Sequence, residues 1–322
     1  MSEVTNVLVS VASRDRGGAE RFGDWLRHRP YDYLRRASWP SELPYPWPGG
    51  GDEEWPGPEI GDLGQLPASA WPGRRDPHAS VWLGVLNHAD LDKVRGRFAE
   101  IPWKSPAAAQ LFLMTEGQMY FRAWMFRDGR LTEQPMSVLD EEDEGYFPDW
   151  FPRLPASRPM GADQAGPGRI ARRSAGNGAG ECAGDVTVLV AVALYDNKTA
   201  PEFAEWLRRR PYEYLCREAW SAGVPFPWPG DEDDWPGPGC GELAPISPAL
   251  WPGTKGPQVT MWLGVLEDAD TEQVCQGFGQ VAWKFPNAVQ LFLKRQGEPC
   301  FRVWMFRDGR LAEQFVAAPE ES

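Results

Sequence analysis

The chain has 322 residues, of which 42% are hydrophobic, and a formal net charge of −13. That length gives room for about two domains of ordinary size, and the apolar fraction excludes wholesale disorder. The charge argues against a general nucleic-acid binder, whose phosphate contacts need Lys and Arg in excess over a whole face.

The five cysteines (Cys182, Cys216, Cys240, Cys275, Cys300) all fall in the second half, without CxxC spacing. Neither a disulfide framework nor a zinc site is expected from them, and no metal or cofactor is expected elsewhere. The opening MSEVTNVLVSVASRD has no basic n-region, and no stretch approaches the ~18 apolar residues of a membrane span. The expectation is a cytoplasmic protein of a reducing compartment, with no membrane partner.

Phe121 to Leu131, FRAWMFRDGRL, returns at Phe301 to Leu311 as FRVWMFRDGRL. Most of the chain aligns outward from this repeat. VLVSVA (7–12) and VLVAVA (188–193) each read as a buried first strand, followed by Asp15 and Asp196. Phe22, Trp25 and Leu26, like Phe203, Trp206 and Leu207, give the apolar stripe of a helix that Pro30 or Pro211 should end.

Next comes a stretch dense in Pro, Gly and Trp: Trp39 to Pro72, and Trp220 to Pro252. This density forbids long helix or inner strand, and predicts a long loop packed by its own aromatics. ASVWLGVL (79–86) and VTMWLGVL (259–266) resume as strands. Asp90 and Asp270 should cap short helices. The segment through 131 then reads strand, tight turn at Glu116-Gly117 (Gln296-Gly297 in the second copy), strand.

The predicted fold class is therefore α+β: a tandem duplication of one β-α-loop-β-α-β-β unit, with a mostly antiparallel sheet and helices packed on it. Residues 1–138 form the first repeat and 187–322 the second. Residues 139–186 between them make an acidic, aromatic tail followed by a flexible linker. By charge, 1–138 holds 16 basic and 18 acidic residues, whereas 187–322 holds 12 and 19, so the second repeat is the more acidic.

No His or Cys is common to both copies, and GxSxG, GK[ST], HExxH and strand-linked GxGxxG patterns are missing. These gaps count against the common enzyme classes. Three sets of residues remain as candidate sites. The first is the loops: Trp47, Asp52, Glu53, Glu54, Trp55 and Trp71, with Trp228, Asp231, Glu232, Asp233, Asp234, Trp235 and Trp251. Aromatics on loops offer large area at low entropy cost to a partner, although they equally pin a loop that has no backbone ladder.

The second set is the strand and turn Arg122, Trp124, Arg127 and Arg130, with Arg302, Trp304, Arg307 and Arg310. These read either as an Arg-aromatic face or as a covered strand with paired arginines and a plain Asp-Gly turn. The third is the tail Tyr146, Phe147, Trp150 and Phe151, which directly follows an acidic run, as a linear docking motif would.

The leading expectation is a non-catalytic, two-domain acidic binding protein. It would act through its Trp/Pro-rich loops on a protein partner with a basic surface, in the manner of an immunity protein, an antitoxin or a viral accessory factor. Two alternatives stand beside it. One is an enzyme acting on a small anionic substrate with Asp15/Asp196, Arg122/Arg302 and Glu133/Glu313. The other is a single-stranded nucleic-acid binder using the Arg-aromatic strand.

Overall fold

The computed structural model describes residues 3–49, 55–73, 75–134, 184–193, 198–220, 223–237, 239–253, 255–307 and 309–315. The first half holds β1 (Val4–Val11), α1 (Arg16–His28), the single turn α2 (Pro30–Tyr33), β2 (Gly61–Gln65), β3 (Ser80–Asn87), α3 (Leu91–Glu100), β4 (Gln110–Thr115), β5 (Arg122–Arg127) and β6 (Arg130–Glu133). The second holds β7 (Val186–Ala193), α4 (Ala200–Arg209), α5 (Pro211–Tyr214), β8 (Gly241–Pro245), β9 (Val259–Leu266), α6 (Thr271–Gln280), β10 (Val289–Arg295), β11 (Arg302–Arg307) and β12 (Arg310–Phe315).

The strands form two six-stranded antiparallel sheets, β2-β3-β1-β4-β5-β6 and β8-β9-β7-β10-β11-β12. With the helices they make an α+β fold. The strand order is the same in both sheets.

Local sequence explains most of the elements. In α1, Ala19, Phe22 and Leu26 are buried along one face while charged residues line the other. Pro30 then opens α2 from its first position, where a missing N–H costs nothing. The Asp90 carboxylate accepts from the N–H groups of Asp92 and Lys93, and Asp270 accepts from those of Glu272 and Gln273, so both cap their helices. Asp128 and Gly129 take φ +50° and +73°, the two left-handed positions of a hairpin turn between β5 and β6.

Two expectations need correction. The tight turn expected at Glu116-Gly117 is present, with Gln118 N donating to Thr115 O at 2.9 Å and Gly117 at φ +90°, but β5 begins only at Arg122, so the turn does not join the two strands directly. And each half has six strands where the expected unit had four: β6 and β12 continue past the Asp-Gly turn, and the Pro/Gly-rich stretch holds a short strand in each half, β2 and β8. These last two lie at a sheet edge and pair on one side only, which is the strand position such a composition tolerates. Close approach adds a second requirement: a Cβ on Gly84 would overlap the Asp62 carbonyl of β2.

The central strands β1 and β7 are rich in Val and buried on both faces, with Thr5, Asn6, Ser10 and Thr187 as their buried polar residues. Val7, Val9 and Val11 face α1 and α3, packing with Phe22, Leu26, Val94 and Phe98. Leu8, on the opposite face, shares an apolar layer with Phe112, Phe121, Phe292 and Phe301 from both sheets. The order of layers is helix, sheet, sheet, helix.

Polar bonds cross the inner layer in matched pairs. His78 N donates to Thr187 Oγ1 (3.1 Å), and Gln258 N donates to Asn6 Oδ1 (3.0 Å). The sheets are thereby registered as well as packed.

Candidate functional site

The aromatic residues of the two Pro/Gly-rich stretches contact one another in the same pattern in both halves. Trp39 meets Tyr45 and Trp55 edge-on at 4.7 and 5.2 Å, and Trp47 meets Trp55 at 5.7 Å. In the second half Trp220 meets Phe226 and Trp235 at 4.8 and 5.0 Å, and Trp228 meets Trp235 at 5.8 Å. Backbone carbonyls take the indole donors: Trp39 Nε1 to Leu43 O and Trp220 Nε1 to Val224 O. The peptide bonds preceding Pro46 and Pro227 are cis.

Beside these clusters stand the exposed large hydrophobic side chains among the described residues, Tyr45 (47% exposed) and Phe226 (52%), at matched positions. Each carries a guanidinium on its ring: Arg36 lies 5.1 Å from the Tyr45 centroid and Arg217 5.4 Å from that of Phe226.

In the second half this corner borders a groove of about 540 Å³ between the Phe226-Pro227-Trp228 wall, the end of α4, α5 and the outer face of α6. Trp206 stands at its floor, with Nε1 donating to Glu213 Oε2 at 3.2 Å. A second hollow of about 370 Å³ continues past Trp206 and Gly277. Its rim is a network in which Arg209 and Arg210 pair with Glu232, and Arg208 and Arg209 with Glu205. Hydrogen bonds from Arg208 and then Arg209 pull the Glu205 carboxyl down to about 2, and Arg210 lowers that of Glu232. Glu232, one of the candidate loop residues, is turned back onto these arginines.

Other expected site residues lie elsewhere. Trp71 and Trp251 are 7% and 5% exposed and belong to the layer between the sheets, packed with residues of both halves. Their indoles are apolar filling for the shared core, not loop surface. Trp47, Trp55, Trp228 and Trp235 are partly buried in the aromatic clusters, and Asp231 and Asp234 are exposed. Asp52, Glu53, Glu54, Asp196, Tyr146, Phe147, Trp150 and Phe151, and the side chain of Asp233, lie outside the described residues.

On the strands, Trp124 and Trp304 are 5% and 8% exposed. Arg122 donates to Glu133 at 2.6 Å and Arg302 to Glu313 at 2.8 Å; the same guanidinium groups lie 5.9 and 4.9 Å from the Trp124 and Trp304 rings. The turn residues Arg127, Arg130, Arg307 and Arg310 are exposed, with Arg127 Nε donating to Gln134 Oε1 at 2.8 Å. Asp15 takes its hydrogen bond from the Lys104 N–H (2.5 Å), beyond the end of β1. Its carboxylate and the Arg122–Glu133 pair thus have separate partners on separate elements.

Among the described residues no three His, Cys, Asp or Glu side chains form a metal-binding group, and no helix is long and apolar enough to cross a membrane. The cysteines at 216, 240, 275 and 300 are buried. Burial pushes Cys300 up to about 11 and Cys240 to about 12, which leaves little thiolate at neutral pH. Lys294, buried in β10 where the first half has Met114, donates to Pro299 O (2.9 Å), and burial lowers its pKa.

Of the residues that build the groove, Trp228 is among the candidates and Trp206 reads only as part of a helix stripe, while Tyr212, Arg217, Glu218, Phe226, Gln273 and Gly277 escape the sequence reading. A signal was present in the differences between aligned positions, where Gly277 stands for Arg97 and Gln273 for Lys93. What the fold and site define is an α+β protein of two like sheets, each with an aromatic corner at its helical face. Comparison of the chain with protein-family models, curated proteins and solved structures finds no match.

Proposed function

We propose that the chain is a tandem duplication of one α+β unit, with 1–138 and 187–322 as its two domains. We propose further that it is a non-catalytic protein-interaction module working through the Trp/Pro-rich corner of each unit. The observation that carries this reading is the pair Tyr45 and Phe226. Large apolar rings left exposed at the same place in both halves, beside an otherwise packed aromatic cluster, are what a partner surface buries. The net charge of −13 favours a partner with a basic surface and a salt-sensitive association. The Arg-aromatic strands supply no open face for a nucleobase, since Trp124 and Trp304 are covered.

The test is selection of a random twelve-residue display library on the immobilised full chain, followed by affinity measurement on a Tyr45→Ser/Phe226→Ser double variant. The variant should remain folded by thermal melt, because both rings are exposed, and should bind the selected peptides at least tenfold more weakly. No enrichment on the native chain, or equal binding by the two proteins, overturns the reading.

A further inference from the structure

The two halves build the same corner, yet differ at the positions that decide whether it is filled from within. In the first half the Arg97 guanidinium lies 6.0 Å from the Trp25 ring centroid and its Nη1 reaches Glu100 Oε2 at 3.2 Å. Lys93 stands one turn earlier on α3, and Arg35 is fixed by Glu3 and by the Ala89 carbonyl. In the second half the matching residues are Gly277, Gln273 and Cys216. No side chain can grow from position 277 without displacing its neighbour, because a Cβ there would overlap the Trp206 ring.

The loss of bulk is accompanied by a shift toward negative charge. Along the first corner, Arg35, Arg36, Lys93 and Arg97 are matched by Glu3, Asp32, Asp90 and Glu100. Along the second, Glu213, Glu218 and Asp270 outnumber Arg217, with Glu213 also paired to Arg210 at 3.2 Å. Glu218, where the first half has Ala37, is exposed on the groove wall. Trp206 therefore rests its ring on Gly277, where Trp25 meets Arg97, and the rest of its indole lines the groove with no Arg from its own chain at position 277.

We propose that the groove beside Trp206 binds an extended, arginine-bearing segment of a protein partner, one guanidinium stacking on the part of the Trp206 indole that lines the groove. This rests on the interaction-module reading and names its ligand. Three features of the groove favour that ligand. An indole face attracts a guanidinium most strongly among the side-chain rings. The Phe226-Pro227-Trp228 wall suits an extended, proline-containing backbone. The excess carboxylates match the ligand's charge. The first corner is closed to the same ligand by Arg97 and Lys93.

The experiment uses fluorescence anisotropy of labelled nonapeptides, alternating Arg-Pro, Ser-Pro and Glu-Pro, against the full chain at low and physiological salt. The Arg-Pro peptide should bind with one site per chain and at least tenfold more tightly than the other two. Gly277→Arg, which gives the second half its own guanidinium, should reduce that affinity at least tenfold. Since this change also displaces Trp206, the surface substitution Gln273→Lys serves as the second variant; it should weaken binding at least threefold while leaving the melt unchanged.

Equal binding of the three peptides overturns the proposal, and so does native affinity in a folded Gly277→Arg or Gln273→Lys protein. If library peptides are lost in Tyr45→Ser/Phe226→Ser but bind the Gly277→Arg and Gln273→Lys proteins normally, the groove fails and the interaction reading stands. If the library yields nothing yet the Arg-Pro peptide binds and is lost in both variants, the reverse holds.

Discussion

Gln110 of β4 and Phe301, 191 residues apart, exchange two hydrogen bonds across the buried layer between the sheets. Gln110 Nε2 donates to Phe301 O at 2.9 Å, and Phe301 N donates to Gln110 Oε1 at 2.7 Å. Gln290 does the same with Phe121, at 2.9 and 2.6 Å. Each amide thus satisfies the backbone N–H and C=O of the residue just before β5 or β11 in the opposite half.

Replacing either glutamine by Ala leaves a buried backbone N–H and C=O unpaired, a loss of roughly 1–3 kcal/mol per site. Gln110→Ala and Gln290→Ala should each lower the urea midpoint, and the double variant should fall further. A double variant with the native midpoint would mean that the halves do not depend on these bonds.

Trp71 and Trp251 belong to the same inner layer, so truncation there should be far costlier than at the corner. Trp251→Ala should cost about 3–5 kcal/mol, as for other large-to-small core changes, whereas Phe226→Ala, which loses an edge contact to Trp220, should cost about 1 kcal/mol. Chemical denaturation of the two variants side by side decides this. Comparable losses would contradict the placement of Trp251.

Lys294 makes the stability depend on pH in the alkaline range. Burial lowers its pKa below the unfolded value of 10.5, so between the two values the unfolded chain binds more protons and stability rises with pH. Below the folded pKa the cost of burying the charge is present in full. Lys294→Met, which installs the residue found at Met114, should stabilise the protein by roughly 1 kcal/mol at neutral pH and flatten the alkaline rise. Melts recorded from pH 7 to 11 read both effects; a lowered melting temperature with the alkaline rise retained would refute the account.

The capping carboxylates give a local control. Asp90→Ala and Asp270→Ala each remove an acceptor for two N–H groups at a helix start, and should each cost about 1 kcal/mol. Asp→Asn should recover most of it, since the amide oxygen still accepts. Equal loss in the Asn variants would point to charge rather than capping.

Much of the secondary structure was legible before any coordinates. The stripe of Phe22 and Leu26, the caps at Asp90 and Asp270 and the Asp128-Gly129 turn all follow from spacing or φ preference within a few residues. Strands β2 and β8 were not legible, because an edge strand needs only one partner and so carries a weak pattern.

The chain alone determined that two like stretches recur, that helices and strands fall where their periods lie, and that the aromatics concentrate in the Pro/Gly-rich segments. Only the tertiary structure decided which aromatics are displayed. Trp71 and Trp251 went inward because two sheets meet face to face there, while Tyr45 and Phe226 stayed out. The groove at Trp206 also required the fold, since α4, α5, α6 and the 226–228 wall meet only after distant segments pack. Periodicity is a property of neighbours along the chain; burial and concavity depend on what arrives from far away.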